Sequence, residues 1–304
     1  MSTPRHLLVG LDGSPLAETI LGTVGGLATR LHAEVTLLHV TPVPAGAGAA
    51  EPDATLDRMV AEEVRRARRY LDDVTLRLAR GGPTVRTAVA TGDPATEIVR
   101  HAERAHADVI ALATHGRTGV RRWLHGSVAD AVLHTATTPL LLLRPARDEA
   151  APRVEIRRLV AAVDGSPAAE AALPVVEDLA RALGVPVLLL RVVEPIDLAF
   201  GADPFGGAYV DQARVLERLR EGAERHLAKL AVGLRAAGIV VETLAPVGTP
   251  VDTIAAVTRR HPGSLLVLGT HGRTGWRAAA LGSVARRVVL AVESPVLVVR
   301  RPGR

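Results

Sequence analysis

Two short segments of this chain combine residue types that can hold a phosphorylated ligand, and each occurs twice. Asp12-Gly13-Ser14 follows one apolar run and Asp164-Gly165-Ser166 follows another. Further along, Gly269-Thr270-His271-Gly272 is followed after nine residues by Gly282-Ser283. The first copy, Ala113-Thr114-His115-Gly116 and then Gly126-Ser127, has the same spacing. Glycines let a backbone approach a ligand with no Cβ in the way. A Gly-Ser step that opens a helix presents unpaired N–H groups and the positive end of the helix dipole, which suits a phosphate chain. The serine hydroxyl adds a hydrogen bond to the ligand or simply caps the helix. An isolated D-G-S reads as a turn ordered by its own carboxylate. The loop and helix start that accompany it here shift the reading toward binding.

Other residues in the loops carry less. His115 and His271 have the type of a general base or a metal ligand. Neither has a second histidine or a carboxylate at ligand spacing in its loop, which favours structural or ligand-contact duties. Arg117 and Arg273 can meet phosphate or solvent equally well. Trp123 and Trp276 fall at non-matching positions, so no shared role follows.

Motifs of several enzyme classes are missing. No G-x4-G-K-[ST] occurs and Lys229 is the only lysine, which excludes a P-loop NTPase. No G-x-G-x-x-G follows the first apolar run, against a dinucleotide dehydrogenase. The G-x-S-x-G elbow of an α/β-hydrolase is also missing. The residues read as a binding protein with no catalytic group, rather than a dedicated enzyme.

The elements that must position these motifs repeat at half the chain length. Leu8–Ser14 reads LVGLDGS and Leu159–Ser166 reads LVAAVDGS. Gly126-Ser127-Val128-Ala129 recurs as Gly282-Ser283-Val284-Ala285, and Thr138-Pro139 as Ser294-Pro295. Arg144–Arg157, rich in Pro, Ala and charge, is the natural linker. It sets domains at 1–147 and 154–304, joined through 148–153. Each half alternates short apolar runs with amphipathic segments. In the first half, strands are predicted near 6–11, 34–40, 85–90, 108–113 and 140–144. Helices are predicted near 15–31, 56–80, 94–106 and 127–135. The second half follows the same order, with strands near 159–163, 187–192, 240–245, 265–269 and 296–300. Near-continuous apolar strands alternating with helices give a parallel sheet covered on both faces. The fold class is α/β: two tandem doubly wound domains, each a five-stranded parallel sheet flanked by helices. In such a sheet, ligands bind beyond the strand carboxyl ends where strand order reverses, which is where both motifs fall.

Composition narrows the partners. The net charge of +5 rests on 37 basic and 32 acidic residues that are interleaved along helices, as in Glu62-Glu63 with Arg65-Arg66. That pattern marks solvated faces with ion pairs at helical spacing. Two Phe, two Tyr and two Trp offer few stacking platforms, so no nucleic-acid partner is expected. Without cysteine there is no disulfide, thiolate zinc site or cysteine nucleophile. Residues 1–10 have no long apolar core and no apolar run spans a bilayer, so a cytoplasmic protein without a membrane partner is expected.

The G-x2-G-x9-G-S spacing, with an Asp after the first strand, resembles the ATP-binding motif of the universal stress protein family, here as a tandem two-domain arrangement over nearly the whole chain. The Rossmann-like (adenine nucleotide alpha hydrolase-like) fold is implied. So is an adenine nucleotide as the ligand, ATP, accompanied by Mg²⁺. In the first half the resemblance carries the binding role to Leu11, Asp12, Val40, Ala113, Gly116, Gly126, Ser127 and Val128. In the second it carries it to Val163, Asp164, Val192, Gly269, Gly272, Gly282, Ser283 and Val284. By resemblance the aspartate lies at the nucleoside, backbone after the second strand meets the base, and the glycines and serine hold ribose and phosphates. Ala113 departs from the pattern, so a weaker first site is expected. The family also implies pairing of last strands, as a homodimer or as an intrachain pseudo-dimer. The resulting expectation is a nucleotide-dependent regulator of stress or dormancy response. An interaction scaffold with empty sites is the alternative, and a slow ATPase or phosphotransfer enzyme the third reading.

Overall fold

A computed structural model describes residues 3–42, 54–80, 82–114, 128–144, 155–195, 212–270 and 282–300. In the first half the order is β1 (His6–Leu11), α1 (Pro15–Glu18), α2 (Leu21–Leu31), β2 (Glu34–Thr41), α3 (Ala54–Ala79), β3 (Val85–Thr91), α4 (Pro94–Arg104), β4 (Val109–Ala113), α5 (Val128–Thr135) and β5 (Leu140–Leu143). The second half repeats it: β6 (Arg158–Ala162), α6 (Pro167–Glu170), α7 (Leu173–Leu183), β7 (Val187–Leu190), α8 (Gln212–Ala236), β8 (Val241–Leu244), α9 (Pro250–Arg260), β9 (Ser264–Thr270), α10 (Ser283–Ala291) and β10 (Val296–Arg300).

The apolar runs form strands because both of their faces are buried. Along β1, Leu7, Val9 and Leu11 enter a core shared with α2 and α3, while Leu8 enters an opposite core shared with α4 and α5. The second half divides in the same way, with α7 and α8 on the first side and α9 and α10 on the other. Period-two alternation along the inner strands thus serves two cores, and exposed positions return only on the edge strands β3 and β8.

One helix expected over 15–31 is two. Ser14 caps α1 by accepting the Ala17 N–H at 3.1 Å, but α1 ends after Glu18. The Thr19 N–H closes a tight turn onto the Leu16 carbonyl at 3.1 Å, and the Thr19 hydroxyl donates to the same oxygen at 2.6 Å. A threonine side chain that occupies a backbone acceptor competes with helix continuation. In the second half the break precedes Pro174, whose missing N–H suits a helix start.

All ten strands form one sheet in the order β3-β2-β1-β4-β5-β10-β9-β6-β7-β8. Within each half every pairing is parallel. Strand order reverses between β1 and β4, and again between β6 and β9. The halves join through an antiparallel pairing of β5 with β10, in which Leu141 faces its own repeat counterpart Leu297. Such self-matched register is the pattern of an isologous interface, formed here within one chain. Two arginines reinforce it reciprocally. Arg144, just after β5, donates to the Leu290 carbonyl near the end of α10 at 2.5 Å. Arg300, at the end of β10, donates to the His134 carbonyl near the end of α5 at 3.3 Å. Arg286 of α10 also reaches Asp130 of α5 at 3.2 Å. On the opposite side of the sheet, Arg30 of α2 donates to the carbonyls of Ile156 and Leu183. No helix among the described residues is long and apolar enough to cross a membrane.

Candidate functional site

At the carboxyl end of β1 the chain leaves the sheet through Leu11, which is buried, and turns at Asp12. The Asp12 carboxylate accepts the Ser14 N–H at 2.9 Å, and Gly13 takes φ +84°. The second half repeats the arrangement after Val163: Asp164 accepts the Ser166 N–H at 2.8 Å, and Gly165 takes φ +89°. Only glycine adopts this left-handed backbone without strain. Ser166 then caps α6 through the Ala169 N–H at 3.2 Å. Both aspartates therefore order their turns, and the turn fixes each carboxylate at the strand end where sheet order reverses. Burial raises the pKa of Asp164. Hydrogen bonds from the Ser166 hydroxyl and N–H and from its own N–H, together with the positive charge of the nearby Arg191, outweigh burial and hold it below the usual carboxylate value.

Across the crevice, β4 ends at Ala113 and β9 passes through Gly269. A Cβ built on Gly269 would lie 2.5 Å from the Ala168 carbonyl oxygen, 2.6 Å from that of Ala169 and 2.8 Å from the Ala169 Cα. This glycine is required by the close approach of α6. Its counterpart Ala113 packs its methyl against the core on the α1 side of the sheet. The Gly/Ala difference is thus a matter of helix–strand spacing at this position.

α10 begins one residue after the described chain resumes at Gly282. Its N-cap is Gly282, with φ −50° and ψ 142° and no side-chain cap bond. A Cβ on Gly282 would meet no atom of the described residues within 4 Å. Ser283 and Val284 are exposed in its first turn, and Val128 is exposed at the start of α5. A helix start with no side-chain cap among the described residues and an exposed serine suits an anion chemically. Val40, at the end of β2, is buried, and Val192, just after β7, is half-buried. Both pack on the α4/α9 side of the sheet. Gly116, Gly126, Ser127 and Gly272 lie outside the described residues, as do His115, His271, Arg117, Arg273, Trp123 and Trp276. The structure therefore brings Asp12 with Ala113 and Asp164 with Gly269 to the two switch points, and places Gly282 and Ser283 at the start of the following helix.

Residues that the motif reading passed over surround each aspartate. His39 pairs in register with Leu11, immediately before Val40. Its ring meets Tyr70 of α3 edge-on, with centroids 6.0 Å apart and planes at 69°. Burial pushes His39 below the ordinary histidine value, against the opposing pull of Asp12, the Leu11 backbone and Glu63. Burial and the Glu18 carboxylate push the Tyr70 hydroxyl far up, so it stays protonated. Glu18 also pairs with Arg77 at 2.8 Å. In the second half, Arg191 stands at the His39 position, and its guanidinium lies over Gly165: a Cβ there would be 3.0 to 3.2 Å from it. His226 stands at the Tyr70 position and meets Glu170 of α6 at 2.9 Å. The signal was present in the sequence, as Leu37-Leu38-His39-Val40 against Leu189-Leu190-Arg191-Val192. A groove of about 640 Å³ opens elsewhere, between α2, α3 and Ile156, and none of the sequence-predicted site residues lines it.

Comparison with known proteins agrees with this architecture. The model of the universal stress protein family matches residues 3–144 and again 155–300. A universal stress protein of Mycolicibacterium smegmatis is 27% identical over 307 residues, covering 98% of this chain and 98% of the relative. The universal stress protein YxiE of Bacillus subtilis is 28% identical over 146 residues, covering 46% of this chain and 99% of its own length. The crystal structure of a universal stress protein from Archaeoglobus fulgidus superposes with a TM-score of 0.71 at 21% identity, covering 98% of both chains, which bears on the fold alone.

Proposed function

From the premise that the chain belongs to the universal stress protein family, we propose that it is a nucleotide-dependent regulator with two adenine-nucleotide crevices, one in each half, and that ATP is the ligand. The observation that carries the reading is the doubled coincidence of motif and topology. Each D-G-S turn sits at the carboxyl end of the strand where sheet order reverses, facing the strand end that leads into the Gly-Ser helix start. Two motifs far apart in sequence converge at the position where open α/β sheets hold ligands.

The residues divide the task by chemistry. Asp12 and Asp164, fixed by their Ser N–H bonds, offer a second carboxylate oxygen to a ribose hydroxyl or a base amino group. The backbone beyond β2 and β7, at Val40 and Val192, offers peptide groups to the base edge. The uncapped N–H groups of α10, with Ser283, offer donors to phosphate. The same geometry accommodates a divalent ion held mainly by phosphate oxygens and water, as Mg²⁺ prefers. No residue in the described part of either crevice is assigned a catalytic role, and the reading is one of binding rather than turnover. Regulation follows if the nucleotide favours one state of the chain over another.

Nucleotide titration of the full chain and of Asp12→Ala, Asp164→Ala and the double variant tests this. Each single substitution is expected to remove one binding event and the double variant both. Undiminished binding in the folded double variant would overturn the placement of the ligand.

A further inference from the structure

The two crevices differ by one unit of charge at equivalent positions. In the second half, Arg191 lies against the Asp164 turn, in register just beyond the end of β7, so carboxylate and guanidinium offset one another. In the first half the same position is His39, half-buried against Tyr70. The groups facing His39 are Asp12 beyond β1 and Glu63 with Tyr70 on α3, with Glu18 of α1 behind Tyr70. Burial keeps the imidazole neutral at pH 7.5, so no described side chain puts a cation on the Asp12 turn as Arg191 does on that of Asp164. Among the described residues, an anionic ligand therefore meets an acidic turn in the first half and a neutral one in the second.

We propose that residue 191 and its counterpart 39 set the charge preference of the two sites: Arg191 makes the second half selective for nucleoside triphosphates, and His39 leaves the first half tolerant of nucleoside monophosphates. This deepens the nucleotide-binding reading and rests on it. The physical reason is Coulombic. Each further negative charge on the ligand gains from the guanidinium in one crevice and meets an unrelieved carboxylate in the other. Across a partly solvated crevice at physiological salt, the two charges that separate metal-free ATP from AMP change the preference ratio roughly three- to tenfold. The expected asymmetry has its origin here, one step from the base-contacting backbone, rather than in the Ala113 methyl, which faces the core.

Acidification adds a regulatory consequence. As pH falls below the ordinary histidine value of about 6.5, His39 gains a proton and the first crevice acquires the charge of the second. Its ATP-to-AMP preference then rises toward that of its partner half, while the second half changes little over the same range.

The test uses the full chain with ATP and AMP as probes in the absence of divalent ions, each half read in a background where the other aspartate is alanine. At pH 7.5, Arg191→Gln in the Asp12→Ala background is expected to lower the ATP-to-AMP affinity ratio three- to tenfold, and Arg191→Lys to retain it. His39→Arg in the Asp164→Ala background is expected to raise that ratio by a similar factor and to flatten its pH dependence. Binding of both nucleotides with a ratio that Arg191→Gln leaves unchanged would overturn the proposal while leaving the nucleotide sites standing. A wild-type chain that binds neither nucleotide would overturn the sites themselves, and the charge preference with them.

Discussion

Gly269→Ala adds one methyl at the tightest helix–strand approach in the second half. The new Cβ would sit 2.5 to 2.8 Å from three backbone atoms of α6, none of which can rotate away as a side-chain tip would. Either α6 moves off the sheet by several tenths of an ångström or β9 bends. Overpacking of this kind costs about 1–3 kcal/mol. The added residue also restricts the unfolded chain, which returns roughly 0.4–1 kcal/mol. The net expectation is a loss of about 1–2 kcal/mol, or a fall in Tm of roughly 2–6 °C for a chain of this order of size. Urea unfolding followed by circular dichroism measures the loss, and a thermal scan checks it. Because α6 begins at the Ser166 cap next to Asp164, nucleotide affinity in the second half is expected to fall as well. The first half supplies the control: Ala113 already carries that methyl, so Ala113→Gly relieves no clash and destabilises mildly. A Gly269→Ala chain as stable as wild type would refute the claim that the glycine is required by helix packing.

Three further outcomes are expected. Leu141→Ala, at the centre of the β5–β10 pairing where Leu141 is only 1% exposed, should cost about 2–5 kcal/mol, read by urea unfolding. Ser166→Ala, which removes the α6 cap and a hydrogen bond to Asp164, should cost about 0.5–2 kcal/mol and lessen the part of the acid-induced stability loss that Asp164 contributes as pH falls below its ordinary value. The sign for His39 runs the other way from a salt-bridged histidine. Its folded-state pKa is depressed, so its contribution to stability is present above about pH 6.5 and is lost as pH falls through that value toward the folded pKa. A His39→Gln chain should therefore show a shallower loss of Tm between pH 7.5 and 5.5; an unchanged slope would contradict the burial argument.

Much of the fold was legible because strand runs such as Leu8–Leu11 and Leu140–Leu143 are apolar on both faces, which only a covered parallel sheet explains. The repeat marked the two-half organisation, and the family resemblance implied pairing of the last strands, after Pro139 and Pro295, which join the halves. The break of the first helix at Thr19 was not legible. It depends on a hydroxyl choosing the Leu16 carbonyl, and threonine is equally compatible with a continuous helix. Glycine spacing alone does not tell which neighbour comes close to Gly269; the structure shows that α6 does. The roles of His39 and Arg191 are not legible from the repeated residues, because the chemical difference between the halves lies where the repeat diverges. Gly116, Gly126, Ser127 and Gly272 fall outside the described residues, so for those four the resemblance stands alone.

The central claim is that each half of the chain holds one adenine nucleotide at its sheet switch point. Equilibrium titration of nucleotide-free, full-length protein with Mg-ATP, followed by calorimetry, tests it most directly. The account predicts saturation at two ATP per chain, falling to one in Asp12→Ala or Asp164→Ala. A folded wild-type chain that takes up no ATP, or takes up two that neither substitution removes, would contradict it.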